Sequence, residues 1–267
     1  MSTPAEPLTP KPKTAHSGLT RQYLLLYNAA EFFLWTTLTI RTVRLLINQA
    51  VTEKLNFNVP AVFAETYSPL LLTAQTLAIL EILHSLVGLV RAPVLTTAMQ
   101  VASRLFVIWV VLYPFHGAIV GVDKVGEYAY LGCMLAWGIT ETIRYGYFTM
   151  HLNGGVETVP KWWNWLRCVS LLFSSFLEEA LVVVETNGLL GWCRYNTFYV
   201  LYPIGISSEC TLAVKALPQA VDVHPLYWGL IVAVLVIYVP GSYVLYTHMI
   251  KQRRKSAAVK KEAAKKE

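Results

Sequence analysis

Apolar residues gather in six blocks, each long enough to cross a lipid bilayer, and this fixes most of what the chain can fold into. The blocks cover residues 23–47, 68–90, 94–115, 126–150, 195–217 and 226–250. A helix needs ~20 residues to cross the hydrocarbon. Strand alternation is absent from the blocks, and lipid cannot satisfy open backbone groups, so helices are the predicted form. Composition agrees: 55% of the 267 residues are hydrophobic and 14% charged, against about 25% charged in a soluble domain. The predicted architecture is all-α, a polytopic membrane protein with a six-transmembrane-helix bundle over 23–250. A disordered cytosolic tail, 1–22, precedes the bundle and a basic cytosolic tail, 251–267, follows it. Residues 1–22 lack the short apolar core of a cleavable signal, so the first span is expected to act as its own.

The net charge of +6 does not mark a nucleic-acid surface, because the excess sits mainly in the last 17 residues rather than on a folded face. Its distribution instead sets topology. With a cytosolic N-terminus, fifteen Lys and Arg residues fall on the cytosolic side and Lys54, Lys124 and Lys215 on the other; Arg41, Arg44, Arg104 and Arg144 lie inside spans. The asymmetry is still seven to three without the tail, and it places both termini in the cytosol. The four cysteines, Cys133, Cys168, Cys193 and Cys210, have neither disulfide nor metal spacing and read as small apolar residues. None has an Arg six residues on, so the Cys-x5-Arg loop of a cysteine phosphatase is absent.

Charges inside a bilayer are costly and usually face a bundle interior or cavity. Here Glu31, Glu81, His84, Arg104, Glu141, Arg144 and Glu209 all fall within spans. Glu81 and His84 share a helix face, as do Glu141 and Arg144. Interhelical ion pairs that fix packing would account for any one of them; seven together predict a polar, substrate-accessible cavity. Arg41 and Arg44 lie near a span end, where snorkelling suffices. On the fifth span Tyr202 and Glu209 are seven residues apart, two turns and ~10 Å along one face. Pro203 and Gly205 between them loosen the helix or, more blandly, mark a kink of the sort common in membrane helices.

Four stretches carry a resemblance. They are Leu80-Glu-Ile-Leu-His-Ser-Leu-Val-Gly-Leu-Val-Arg-Ala-Pro93, Gln100-Val-Ala-Ser-Arg-Leu-Phe106, Ala136-Trp-Gly-Ile-Thr-Glu-Thr-Ile-Arg-Tyr145, and the run from Arg194-Tyr-Asn through Glu209. Together and in this order they resemble the membrane 3-hydroxyacyl-CoA dehydratases of very-long-chain fatty acid elongation, also called protein tyrosine phosphatase-like. The match covers nearly all of 23–254. It implies an endoplasmic reticulum location, six spans and cytosolic termini. It also implies loss of water from a very-long-chain (3R)-3-hydroxyacyl-CoA to give a trans-2-enoyl-CoA, with the family's catalytic Tyr and Glu falling on Tyr202 and Glu209. Glu209 is the expected base at C2 and Tyr202 the expected acid, since a phenol with pKa ~10 keeps its proton at neutral pH. Arg104 and Arg144 are candidates for keeping Glu209 ionised or for holding the thioester or CoA phosphates, with Glu81, His84 and Glu141 in support. No metal or redox cofactor is required. Beyond substrate and membrane lipid, the resemblance implies the elongase and the ketoacyl and enoyl reductases as partners. A silent scaffold of that complex and a six-span transporter are the competing readings. Intact Tyr202 and Glu209 count against the first, and the lack of an inverted repeat against the second.

One segment departs from the family pattern. Trp165-Leu-Arg167 is followed by 27 residues, Cys168–Arg194, before Tyr195-Asn-Thr-Phe198; removing them restores Trp-Leu-Arg-Tyr-Asn-Thr-Phe. Its apolar run, Cys168–Leu177, is too short to span. Two origins fit: a retained intron, whose reading phase would rejoin an Arg codon, or a genuine cytosolic insertion.

Overall fold

A computed structural model of the protein describes residues 18–52, 57–67, 69–90, 92, 94–154, 160 and 198–243; the side chains of residues 96 and 198–202 are outside that description. The N-terminal tail up to residue 17, the 168–194 segment with Cys168 and Cys193, Arg91 and Pro93, and the C-terminal tail lie outside the described residues. The described residues are all-helical. In chain order they form α1 (Gly18–Thr52), α2 (Val59–Thr66), α3 (Pro69–Leu77), α4 (Ile79–Leu86) and α5 (Val94–Leu105). A π-helical segment (Phe106–Leu112), α6 (Tyr113–Ile119), α7 (Lys124–Gly154) and α8 (Phe198–Val223) follow. Last comes α9 (Pro225–Tyr243).

The distribution of residues on α1 is inverted relative to a helix in water. Leu26, Phe33, Ile40 and Ile47 recur every seven residues and are 57–70% exposed. Asn28, Glu31, Thr42 and Gln49 are buried on the other side with Trp35 and Leu38. A water-facing helix hides the apolar stripe and shows the polar one; this one hides the polar residues, as lipid demands. On α9, Leu226, Val236, Ile237, Val239 and Tyr243 likewise face outward. Three described segments are long and apolar enough to cross a membrane: Pro69–Leu86, Thr97–Ile119 and Pro225–Tyr243. The protein is therefore a membrane protein, all-helical in its described residues. Helices α1, α7 and α8 are longer still, at 35, 31 and 26 residues, but hold most of the polar side chains.

α7 is the central helix, packed on α1 along one side and α8 along the other. Two glycines permit the approach. A Cβ on Gly138 would stand 2.5 Å from Thr39 Oγ1, and one on Gly132 would collide with Ser208 Oγ. Small residues at such crossings let helix backbones come close where lipid supplies no hydrophobic drive. Thr39 cannot turn away freely, because its hydroxyl bonds the Trp35 carbonyl at 2.7 Å.

Local irregularities aim the polar residues. The predicted span 68–90 is two helices, parted at Ala78, where Glu81 N–H bonds the Ala78 carbonyl at 3.0 Å. The Leu77 carbonyl accepts from Tyr27 Oη at 3.3 Å instead. The third span turns π-helical just after Arg104, and Tyr227 Oη on α9 donates to the Val110 carbonyl there at 3.1 Å. Single π turns often sit at functional sites. Sequence pattern also predicts a loosening or a kink at Pro203, and α8 stays helical through both Pro203 and Pro218. Neighbouring helices hold such interruptions in place within membrane bundles. At one end of the bundle Asp123 Oδ1 accepts from Val125 N–H at 3.2 Å at the start of α7. Glu127 accepts from Gly121 N–H at 3.2 Å and from Lys124 Nζ at 2.9 Å. Asp123 also pairs with Lys215 of α8.

Candidate active site

The inward face of α7 carries Trp137, Glu141 and Arg144, spaced i, i+4 and i+7, so three side chains line ~10 Å of one seam. Two kinds of carboxylate environment occur along it.

At the Glu141–Arg144 level, charge is paired. Arg144 Nη1 and Nη2 donate to the two oxygens of Glu81 on α4 at 3.0 and 2.7 Å. Its Nε donates to Glu141 Oε2 at 2.8 Å, and Nη2 donates to the same oxygen. Tyr145 Oη donates to Glu81. Glu141 Oε1 lies 2.6 Å from Arg104 Nη1, which arrives from α5. Glu141, Arg144 and Arg104 are all buried. Two guanidinium groups thus face two carboxylates across three elements, and the fork geometry of Arg144 is nearly saturated. The sequence places Arg144 and Glu81 among candidate substrate contacts; the fold pairs them with each other. Arg104 is less committed: beyond Glu141, its guanidinium has no hydrogen-bond partner among the described residues.

His84, on the helix face it shares with Glu81, has a different partner. Its Nε2 lies 2.8 Å from Tyr23 Oη, and Tyr27 meets its ring edge-on at 4.9 Å between centroids. His84 therefore ties α4 to α1. Glu31 is fully buried on α1, and neither of its oxygens has a hydrogen-bond partner among the described residues.

At the Trp137 level the carboxylate is Glu209 of α8, only 8% exposed. Trp137 Nε1–H donates to Glu209 Oε1 at 3.0 Å. Tyr238 Oη, from α9, donates to Oε2 at 2.9 Å. The Tyr238 hydroxyl is 3.5 Å from the Ser103 carbonyl, too far to compete for its one proton. Both donors are neutral. Tyr202 lies two turns earlier on the backbone of α8, which the Tyr202–Glu209 spacing predicts; its side chain is outside the described part.

Sequence reasoning missed both partners of Glu209. Trp137 was findable, because it precedes Glu141 by four residues on the same face. Tyr238 has no local motif around it, and its contact spans 29 residues of chain. Cys133 is buried and Cys210 half-buried, both as free thiols, as small apolar residues would be. No group of three or more metal-ligating side chains occurs among the described residues.

Comparison with known proteins follows the same lines. The family model described as protein tyrosine phosphatase-like protein, PTPLA, matches residues 75–173 and 171–259, two segments that meet inside the 168–194 stretch. The chain is 37% identical over 237 residues to a probable very-long-chain (3R)-3-hydroxyacyl-CoA dehydratase of Schizosaccharomyces pombe, covering 88% of this chain and 92% of that protein. It is 37% identical over 263 residues to the very-long-chain (3R)-3-hydroxyacyl-CoA dehydratase PASTICCINO 2A of Oryza sativa subsp. japonica, covering 92% and 98%. With very-long-chain (3R)-3-hydroxyacyl-CoA dehydratase 2 of Homo sapiens the identity is 28% over 250 residues, covering 89% and 81%. No solved structure matches.

Proposed function

Because the chain belongs to the protein tyrosine phosphatase-like, PTPLA, family, we propose that it removes water from a (3R)-3-hydroxyacyl-CoA to give the trans-2-enoyl-CoA, with Glu209 as base and Tyr202 as acid. The observation that carries the reading is the buried Glu209 carboxylate, bonded by neutral donors alone among the described residues. A carboxylate not neutralised by a cation keeps the capacity to take a proton. In the proposed step Glu209 takes a proton from C2, the C2–H electrons form the C2=C3 bond, and the C3–O bond breaks. The departing hydroxide takes the Tyr202 proton and leaves as water. Glu209 then returns its proton to the Tyr202 phenolate through the site. Arg104, with guanidinium nitrogens to spare, is assigned the thioester oxygen, where charge builds as C2 loses its proton. Arg144, Glu81 and Glu141 hold Arg104 and α7 in place, and His84 fixes α4. Purified Tyr202→Phe should keep the wild-type melting temperature and lose ~10²–10⁴-fold in turnover; near-normal turnover rejects the acid assignment.

In the proposed arrangement α1, α7 and α8 also span, giving six crossings with both termini cytosolic. The excess of Lys and Arg on one side of such a bundle supports it. The bundle then resides in the endoplasmic reticulum membrane, beside the elongase and the two reductases that supply the hydroxyacyl substrate and consume the enoyl product. Tags at the two ends, digested by protease in sealed microsomes, test the topology; protection of either rejects it. For 168–194, genomic DNA compared with spliced transcript separates a retained intron from a translated insertion.

A further inference from the structure

The two neutral hydrogen bonds on Glu209 do more than satisfy a buried carboxylate. Each oxygen receives one donor, and the donors come from different helices, Trp137 from α7 and Tyr238 from α9. Two bonds to two oxygens fix both the position and the rotation of a carboxyl group, which one bond leaves free to swing. Each oxygen also keeps a lone pair, since a carboxylate offers about four acceptor sites and two are filled. A guanidinium in the same place would bind both oxygens in parallel and neutralise the base. Arg144 holds Glu81 in that way ~6–10 Å along the same face of α7, and it also donates twice to Oε2 of Glu141. Neither donor is long and flexible: Trp137 is 2% exposed, and Tyr238 has one oxygen whose proton is directed at Glu209.

We propose that Trp137 and Tyr238 are positioning residues for the dehydration, holding the Glu209 carboxylate so that one oxygen faces the C2 proton of the substrate. This rests on the assignment of Glu209 as base. Tyr238 is not itself the acid for the leaving hydroxyl, since its proton already lies on the base. Misplacing a reacting group by about an ångström costs on the order of 100-fold. Losing one of the two bonds should therefore slow proton abstraction and leave substrate binding alone.

The test uses full-length protein purified in detergent and a 3-hydroxyacyl-CoA deuterated at C2. Tyr238→Phe deletes a single oxygen and Trp137→Phe a single donor. For each, kcat should fall ~10- to 100-fold with KM within about twofold of wild type, and the primary isotope effect on kcat should rise, because abstraction has become slower relative to the other steps. A smaller folded fraction lowers kcat without moving an isotope effect. Wild-type kcat, or a lower kcat with an unchanged isotope effect, overturns the positioning role even if one variant folds poorly. Glu209→Gln in the same assay separates the two ideas. If it turns over near the wild-type rate, the base assignment fails; if it is inactive while Tyr238→Phe and Trp137→Phe behave as wild type, only the positioning role fails.

Discussion

Two levels of one helix face hold carboxylates in opposite ways. Near Arg144 the carboxylates of Glu81 and Glu141 meet guanidinium groups, and those charges pair across α4, α5 and α7. Near Trp137 the single carboxylate meets an indole and a phenol, neither charged. In low dielectric, an ion pair of the first kind is hard to open and poor at chemistry. Removing one partner leaves an uncompensated charge, a loss of ~3–5 kcal/mol. The second kind stabilises less and leaves the carboxylate reactive. The contrast assigns stability to one level and turnover to the other, and mutations at the two levels should separate along those axes.

The largest effect on stability is expected at Arg144. Arg144→Met leaves Glu81 without a guanidinium and Glu141 with Arg104 alone, and should destabilise the folded protein by ~3–5 kcal/mol. Denaturant or thermal unfolding in detergent measures this. A loss below about 1 kcal/mol would mean that the pairs are worth little even when buried. Lys in this position cannot reproduce the fork and should rescue only part of the loss. Next is the crossing that carries both levels. Gly138 lies between Trp137 and Glu141, and its missing Cβ makes room for Thr39. Gly138→Val should cost ~1–3 kcal/mol by overpacking and should lower turnover as well, since α7 would shift as a body. Unchanged turnover would show that the two levels tolerate independent movement.

Tyr145→Phe sharpens the comparison further. It deletes the hydroxyl that donates to Glu81 and leaves four Arg144 hydrogen bonds in place. Stability should fall by about 1 kcal/mol, with turnover within about twofold of wild type. The smallest effect belongs to Asp123, which lies between two spans and pairs with Lys215 near the end of another. A hydrogen bond from Lys215 holds the Asp123 carboxyl below the usual carboxylate range. A lowered folded-state pKa contributes stability above the unfolded value, ~4, and that contribution is lost as the pH falls through the folded pKa. The small difference in melting temperature between wild type and Asp123→Asn should therefore be present at pH 7 and shrink as the pH is lowered below ~4.

Much of this organisation is written locally in the sequence. Glu141 and Arg144 are three residues apart, and the i, i+3 rule brings them together as soon as α7 forms. Tyr202 and Glu209 share a helix face for the same reason. The inverted pattern of α1, with Glu31 and Gln49 among apolar residues, announces lipid outside and polarity inside. What local pattern cannot supply is tertiary. Glu81 reaches Arg144 across 63 residues, and Tyr238 reaches Glu209 only because α9 packs where it does. The π-helical turn after Arg104 and the break at Ala78 have no signature in residue type either.

The direct test of the whole account is turnover and melting temperature measured together on purified Glu209→Gln. The account predicts a melting temperature within a few degrees of wild type, because the amide still accepts from Trp137 or Tyr238, and dehydration of 3-hydroxyacyl-CoA reduced by ~10²–10⁴-fold. A folded Glu209→Gln protein that still dehydrates its substrate at close to the wild-type rate would contradict it.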